Sequence, residues 1–112
     1  MNEFGLSEKS METIRAIYGA FPQIARVIVY GSRAMGNFRE GSDIDMAIIA
    51  DKPLSYDNLV RVAGAFDDSS LPYLVDVSDF SQIKSEPLKD HIRRRGKVLY
   101  EREGGNSHEL RL

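Results

Sequence analysis

An α/β or α+β domain, with a short sheet of about four strands packed against helices, is the architecture this sequence predicts, and three observations predict it. Stretches with helical periodicity alternate with short runs rich in β-branched residues. The chain has 112 residues, 42% of them hydrophobic, which suits one compact domain with a small core. Cysteine is absent, so neither a disulfide framework nor a Cys-based zinc site holds the fold. No apolar run approaches the roughly 20 residues that span a bilayer. Glu3 and Glu8 spoil a secretory reading of the N-terminus. The expectation is a soluble, cytoplasmic protein with no membrane partner.

The elements follow in order. Met11, Ile14, Ile17, Tyr18 and Phe21 recur at spacings of three and four, predicting a helix over 7–21 with Ser7 as cap, Ser10 as the competing start and Pro22 as terminator. Residues 25–30 (ARVIVY) read as a buried strand running into a Gly31-Ser32 turn, and Gly31, Gly36 and Gly41 punctuate a turn, a short helical piece and a loop. Residues 43–50 (DIDMAIIA) are apolar on both faces after two carboxylates, which predicts a central strand. Ser55 caps a helix through Leu59, Val62 and Phe66. A third strand is expected over 73–77, ended by a Ser78-Asp79 turn. Pro87 opens a basic helix that Gly96 stops, and 97–101 (KVLYE) form the fourth strand. The single domain is expected to span 1–103, with a disordered tail over 104–112. The sheet is expected to be covered mainly on one side. Apolar helix faces at Met11, Ile14, Tyr18 and Phe66 offer an interface for a homo- or hetero-oligomer.

The charge is unevenly placed. Residues 1–80 carry 7 Lys/Arg against 12 Asp/Glu, whereas 81–112 carry 8 against 5. The run Arg93-Arg94-Arg95 closes a helix, where cations favour the dipole, and this reading is preferred to direct nucleic-acid binding. His91, with no second histidine at ligand spacing, reads as a helix-surface residue.

The chemistry concentrates between Gly31 and Asp76. Backbone N–H groups of Gly31-Ser32 and the Ser32 hydroxyl can face an anion where a strand turns into a helix. Asp43 and Asp45 stand two apart on a strand, so both carboxylates project from one face and can converge on a cation. Asp76 interrupts an otherwise apolar strand, where an unpaired carboxylate is expensive to bury, although Asp79 competes for the same role. Three acids beside a phosphate-binding turn are the parts for Mg²⁺-assisted phosphoryl or nucleotidyl transfer.

The pattern Gly31-Ser32, ten intervening residues, then Asp43-Ile44-Asp45 resembles the signature of the nucleotidyltransferase superfamily that includes DNA polymerase β. The surrounding GSRAMG and GSDIDMAII look most like the minimal nucleotidyltransferases, small proteins paired with a helical HEPN protein, often as the antitoxin of a toxin–antitoxin pair. The resemblance implies the nucleotidyltransferase fold with its mixed sheet. It implies that Gly31, Ser32 and Arg33 bind the phosphates of ATP. It further implies that Asp43, Asp45 and Asp76 hold two Mg²⁺ ions, with Asp76 helping to deprotonate the attacking hydroxyl. The implied reaction moves AMP to a hydroxyl, a tyrosine of the HEPN toxin, with the partner completing the acceptor site. The alternatives are an antitoxin acting by contact alone and the nucleotide-binding subunit of a two-protein small-molecule transferase.

Overall fold

The computed structural model describes residues 1–103; the tail expected over 104–112 lies outside them. The elements are α1 (Glu8–Gly19), β1 (Ile24–Tyr30), α2 (Ser32–Met35), β2 (Ile44–Ala50), α3 (Tyr56–Asp67), β3 (Val75–Asp79), a 3-10 turn (Phe80–Gln82), α4 (Glu86–Arg95) and β4 (Lys97–Glu101). The strands form one sheet in the order β3-β2-β1-β4. β1 pairs antiparallel with β2 and β4, whereas β2 and β3 run parallel. The sheet is therefore mixed, with β2 in a central place as its two apolar faces require. No helix among the described residues is long and apolar enough to cross a membrane.

Serine hydroxyls start the three long helices. Ser7 accepts from the Ser10 N–H, Ser55 from the Asn58 N–H and Ser85 from the Leu88 N–H. Ser7, not Ser10, is thus the cap of α1. Gly96 ends α4 with φ −70°, so left-handed freedom is not why glycine stands there. A Cβ at Gly96 would run into the Ile28 side chain and the Ile92 carbonyl, so close packing of α4 on β1 requires its absence.

Alternation along the strands divides the core in two. On one face Ile24, Val27, Val29, Ile44, Met46 and Ile48 meet α1 and α3 through Met11, Ile14, Tyr18, Val62 and Phe66. Each such side chain contributes about 1.5–3 kcal/mol when fully buried. Tyr18 sets its ring against Phe66 edge-on at 5.4 Å and points its hydroxyl at the Met46 sulfur, 3.2 Å away. Met11, Ile14, Tyr18 and Phe66 are all at most 5% exposed. This corrects the expectation that they present an interface: α1 and α3 spend that face on the sheet. The opposite face carries a smaller core of Ile28, Tyr30, Ala47, Ile49, Phe80 and Ile92 beneath α4. The sheet is covered more fully on one side, as expected, and the lighter side leaves room at the C-terminal end of β1.

β3 is displaced from its expected position. It covers Val75–Asp79 instead of 73–77, in register with β2 from Ile44 opposite Val75 to Ile48 opposite Asp79. The residues expected to form a turn belong to the strand because Asp79 is buried and accepts hydrogen bonds. Its carboxylate takes the Leu54 N–H at 2.7 Å, the Ser81 N–H at 2.9 Å and the Ser81 hydroxyl at 2.8 Å. That capping moves the turn to Phe80–Gln82.

Candidate active site

The site is built where β1 ends. Gly31 has φ +74° and ψ −152°, a conformation that L side chains rarely adopt, and it turns the chain from β1 into the single turn of α2. A second constraint acts on the same atom. A Cβ at Gly31 would lie 2.5 Å from Asp45 Oδ2, so the Asp45 carboxylate packs against the bare Cα of the turn. The sequence separation of Gly31 and Asp45 collapses because Tyr30 and Asp45 are partners in the antiparallel ladder. Ser32 opens α2 and is half-buried, with Met35 N–H bonding back to the Gly31 carbonyl.

β3 brings in the third acid. Asp76 is the register partner of Asp45 across the parallel β2–β3 ladder, and neighbours in such a ladder share a face. Asp76 is exposed, whereas the rival Asp79 is buried and hydrogen-bonded as a cap. Asp43 precedes β2 and is exposed. Asp45 senses the other two carboxylates. Partial burial first, then the charges of Asp76 and Asp43, hold the Asp45 carboxyl above the usual carboxylate range, with His91 acting the other way. Tyr30 faces the same acids: burial first, then Asp76 and Asp45, push its phenol up, opposed by a hydrogen bond with the Ser78 side chain.

Gathered but unneutralised carboxylates suit a hard cation, and oxygen donors are the chemistry Mg²⁺ prefers. Among the described residues no three His, Cys, Asp or Glu side chains form a ready cage for an ion. Mg²⁺ is commonly held by one or two carboxylates together with substrate phosphates and water.

Arg33 is placed elsewhere. It is 2% exposed, and its guanidinium donates from Nε and Nη2 to the Ser42 carbonyl at 3.1 and 2.8 Å and from Nη1 to the Phe4 carbonyl at 2.9 Å. Its two flanks are covered by the rings of Phe38, 5.0 Å away, and Tyr73, 4.5 Å away. The guanidinium expected at the phosphates is engaged here with backbone carbonyls and ring faces. Arg33 instead ties the turn to Ser42, the residue before Asp43, and so anchors the loop that presents the first acid.

His91 is the residue that sequence reasoning missed. It is half-buried on α4, not a free surface group, and its Nε2 accepts the Gly31 N–H at 3.3 Å. Its ring meets Tyr30 edge-on at 6.2 Å. No local pattern signals this, because the contact joins residues 60 apart in sequence.

With the turn and the acids in place, a family model described as "Polymerase beta, Nucleotidyltransferase" matches residues 12–104. The chain belongs to the polymerase β nucleotidyltransferase family. The match spans every residue of the site just described. A relative in Haemophilus influenzae, named "Probable protein adenylyltransferase MntA", is 38% identical over 77 residues, which is 69% of this chain and 67% of that protein. Among solved structures, a toxin–antitoxin complex with AMP-PNP is similar with a TM-score of 0.68 and 24% identity, covering 83% of this chain and 74% of that one. A tri-AMPylated Shewanella oneidensis HEPN toxin in complex with MNT antitoxin is similar with a TM-score of 0.65 and 21% identity, covering 88% and 75%. At these identities the structural likeness speaks for the fold, and the nucleotidyltransferase fold is what the four-stranded mixed sheet with its helices displays.

Proposed function

We propose that this nucleotidyltransferase is a Mg²⁺-dependent protein adenylyltransferase, moving AMP from ATP to a tyrosine hydroxyl of a HEPN-family toxin and acting as its antitoxin. The observation that carries the reading is the pairing of Asp45 with Asp76 directly against the Gly31 turn. A phosphate seated on the turn is thereby next to the acids that would accept a proton and hold a cation. The H. influenzae relative's name supports adenylyl transfer. The toxin–antitoxin complexes with AMP-PNP and with an AMPylated HEPN toxin support the nucleotide and the partner.

In this reading the Ser32 hydroxyl and the turn's amides bind the β and γ phosphates. Asp43, Asp45 and Asp76 would hold Mg²⁺, which when bound neutralises charge on the oxygens entering and leaving the α-phosphorus. Asp76 accepts the proton of the attacking hydroxyl. A bond forms from that oxygen to the α-phosphorus, the bond to the bridging oxygen breaks, and pyrophosphate leaves. Tyr30 and Gly31 hold Asp45 in position from below.

The test is incubation of the protein with α-labelled ATP, Mg²⁺ and its HEPN-family partner. Label on a partner tyrosine, lost with Asp45→Asn, is the expected result. Absence of label with intact protein, while the double Asp43→Ala, Asp45→Ala variant still neutralises the partner, would replace catalysis with stoichiometric contact.

A further inference from the structure

The lighter face of the sheet carries a feature that the acids and the Gly31-Ser32 turn do not use. An open cleft of about 690 Å³ lies between α2 and α4, with Met35 on one wall and His91, Arg94, Arg95 and Lys97 on the other. Helical spacing puts His91, Arg94 and Arg95 on one side of α4, at i, i+3 and i+4. The other two cations of this helix turn away: Lys89 and Arg93 lie over the Phe80 ring, at 5.1 and 5.5 Å. Arg94 and Lys97 are only loosely engaged, through exposed ion pairs with Asp90 and Glu3. Arg95 makes no ion pair among the described residues. In an acidic body this is a concentrated basic wall, and His91 links it to the turn.

His91 joins the cleft to the turn. In accepting the Gly31 N–H, Nε2 presents its lone pair to the amide. The ring thus occupies an amide that an anion on the turn would need. At 3.3 Å the bond is long, near the outer limit for N–H donors, and so is readily exchanged for a charged acceptor.

We propose that the cleft between α2 and α4 receives the β,γ-diphosphate end of the nucleotide, with His91 holding the Gly31 amide until a phosphate oxygen takes it and Arg94 and Arg95 contacting the diphosphate. The inference rests on the nucleotidyl-transfer reading. A diphosphate is favoured over a nucleic-acid backbone because His91, which lines the cleft, also bonds the Gly31 amide, and Asp45 packs against Gly31, so an occupant of the cleft lies beside the turn that seats the reacting phosphate. The same residues then hold pyrophosphate as the leaving group.

The test is titration of the full chain with inorganic pyrophosphate and with AMP in metal-free buffer, by calorimetry and by backbone amide NMR. Pyrophosphate is expected to shift the Gly31 amide resonance. The double variant R94A/R95A is expected to bind pyrophosphate at least tenfold more weakly and AMP unchanged. The double variant K89A/R93A, which removes the same charge from the other side of α4, is expected to bind both as the wild type does. Equal loss in the two double variants, or a Gly31 amide that saturating pyrophosphate leaves unmoved, would overturn the proposal. So would arginine-dependent binding of a short single-stranded RNA by a protein indifferent to pyrophosphate. The two readings fail separately. Transfer of AMP with no effect of R94A/R95A on pyrophosphate removes only the cleft, whereas pyrophosphate binding through Arg94 and Arg95 without any transfer removes only the reaction.

Discussion

Gly31 is under two independent demands, a positive φ and contact with a carboxylate, and a methyl group violates both. Gly31→Ala is expected to cost about 1–2 kcal/mol of stability from the backbone alone. Its effect on AMP transfer is expected to be larger, roughly 100-fold in kcat, because Asp45 must move and misplacements on the order of 1 Å cost that much. Thermal unfolding and initial rates on one preparation separate the two effects. Asp45 makes a prediction of opposite sign. Its raised pKa means that the folded chain retains a proton the unfolded chain has released, so stability falls as pH rises through the ordinary carboxylate range toward the raised value. Asp45→Asn is expected to be more stable than the wild type at neutral pH, with the gain disappearing below the ordinary carboxylate pKa. Denaturant titrations across pH 3 to 7, as order-of-magnitude bounds around the reference carboxylate pKa, check it. A variant that loses transfer yet gains stability is the signature of a residue kept for chemistry.

At the scale of elements, the parallel placement of β3 on β2 sorts two neighbouring aspartates into different work. Asp76 faces Asp45 in the ladder, and Asp79 three residues on is buried and caps the 3-10 turn. Asp79→Ala leaves the Leu54 and Ser81 N–H groups without their acceptor, which is expected to cost about 1–3 kcal/mol in chemical denaturation. Much of the site was legible because Gly31, Ser32, Asp43 and Asp45 lie within a short stretch, and their spacing is the geometry of a strand, a turn and a returning strand. Asp76 was legible as an acid in an apolar strand, but its place opposite Asp45, where Asp79 is not, needed the register. The contacts of Arg33 and His91 were not legible, for one physical reason. The partners of Arg33 are carbonyls 9 and 29 residues away, and that of His91 is an amide 60 residues away. No local periodicity encodes such contacts. The helices were legible from their apolar spacing and serine caps, whereas the limits of β3 were set by tertiary hydrogen bonds to Asp79.

For the molecule as a whole, the two faces of the sheet divide the labour. The larger core beneath α1 and α3 supplies most of the apolar burial, and the lighter face holds the carboxylates, the turn and α4. The carboxylates therefore sit on a scaffold that does not need their charge, and a bound cation is expected to add stability. Saturation with Mg²⁺ at about 100 times its dissociation constant is expected to add about 2.7 kcal/mol. Thermal unfolding should show the gain in the wild type and not in the double Asp45→Asn, Asp76→Asn variant. The most direct test of the site is AMP transfer to the partner, followed by intact-mass spectrometry with Asp76→Asn beside Asp79→Asn. Asp76→Asn is expected to abolish the added AMP while Asp79→Asn retains it in proportion to the folded fraction. Transfer by Asp76→Asn at the wild-type rate, or its loss in a fully folded Asp79→Asn protein, would contradict this assignment.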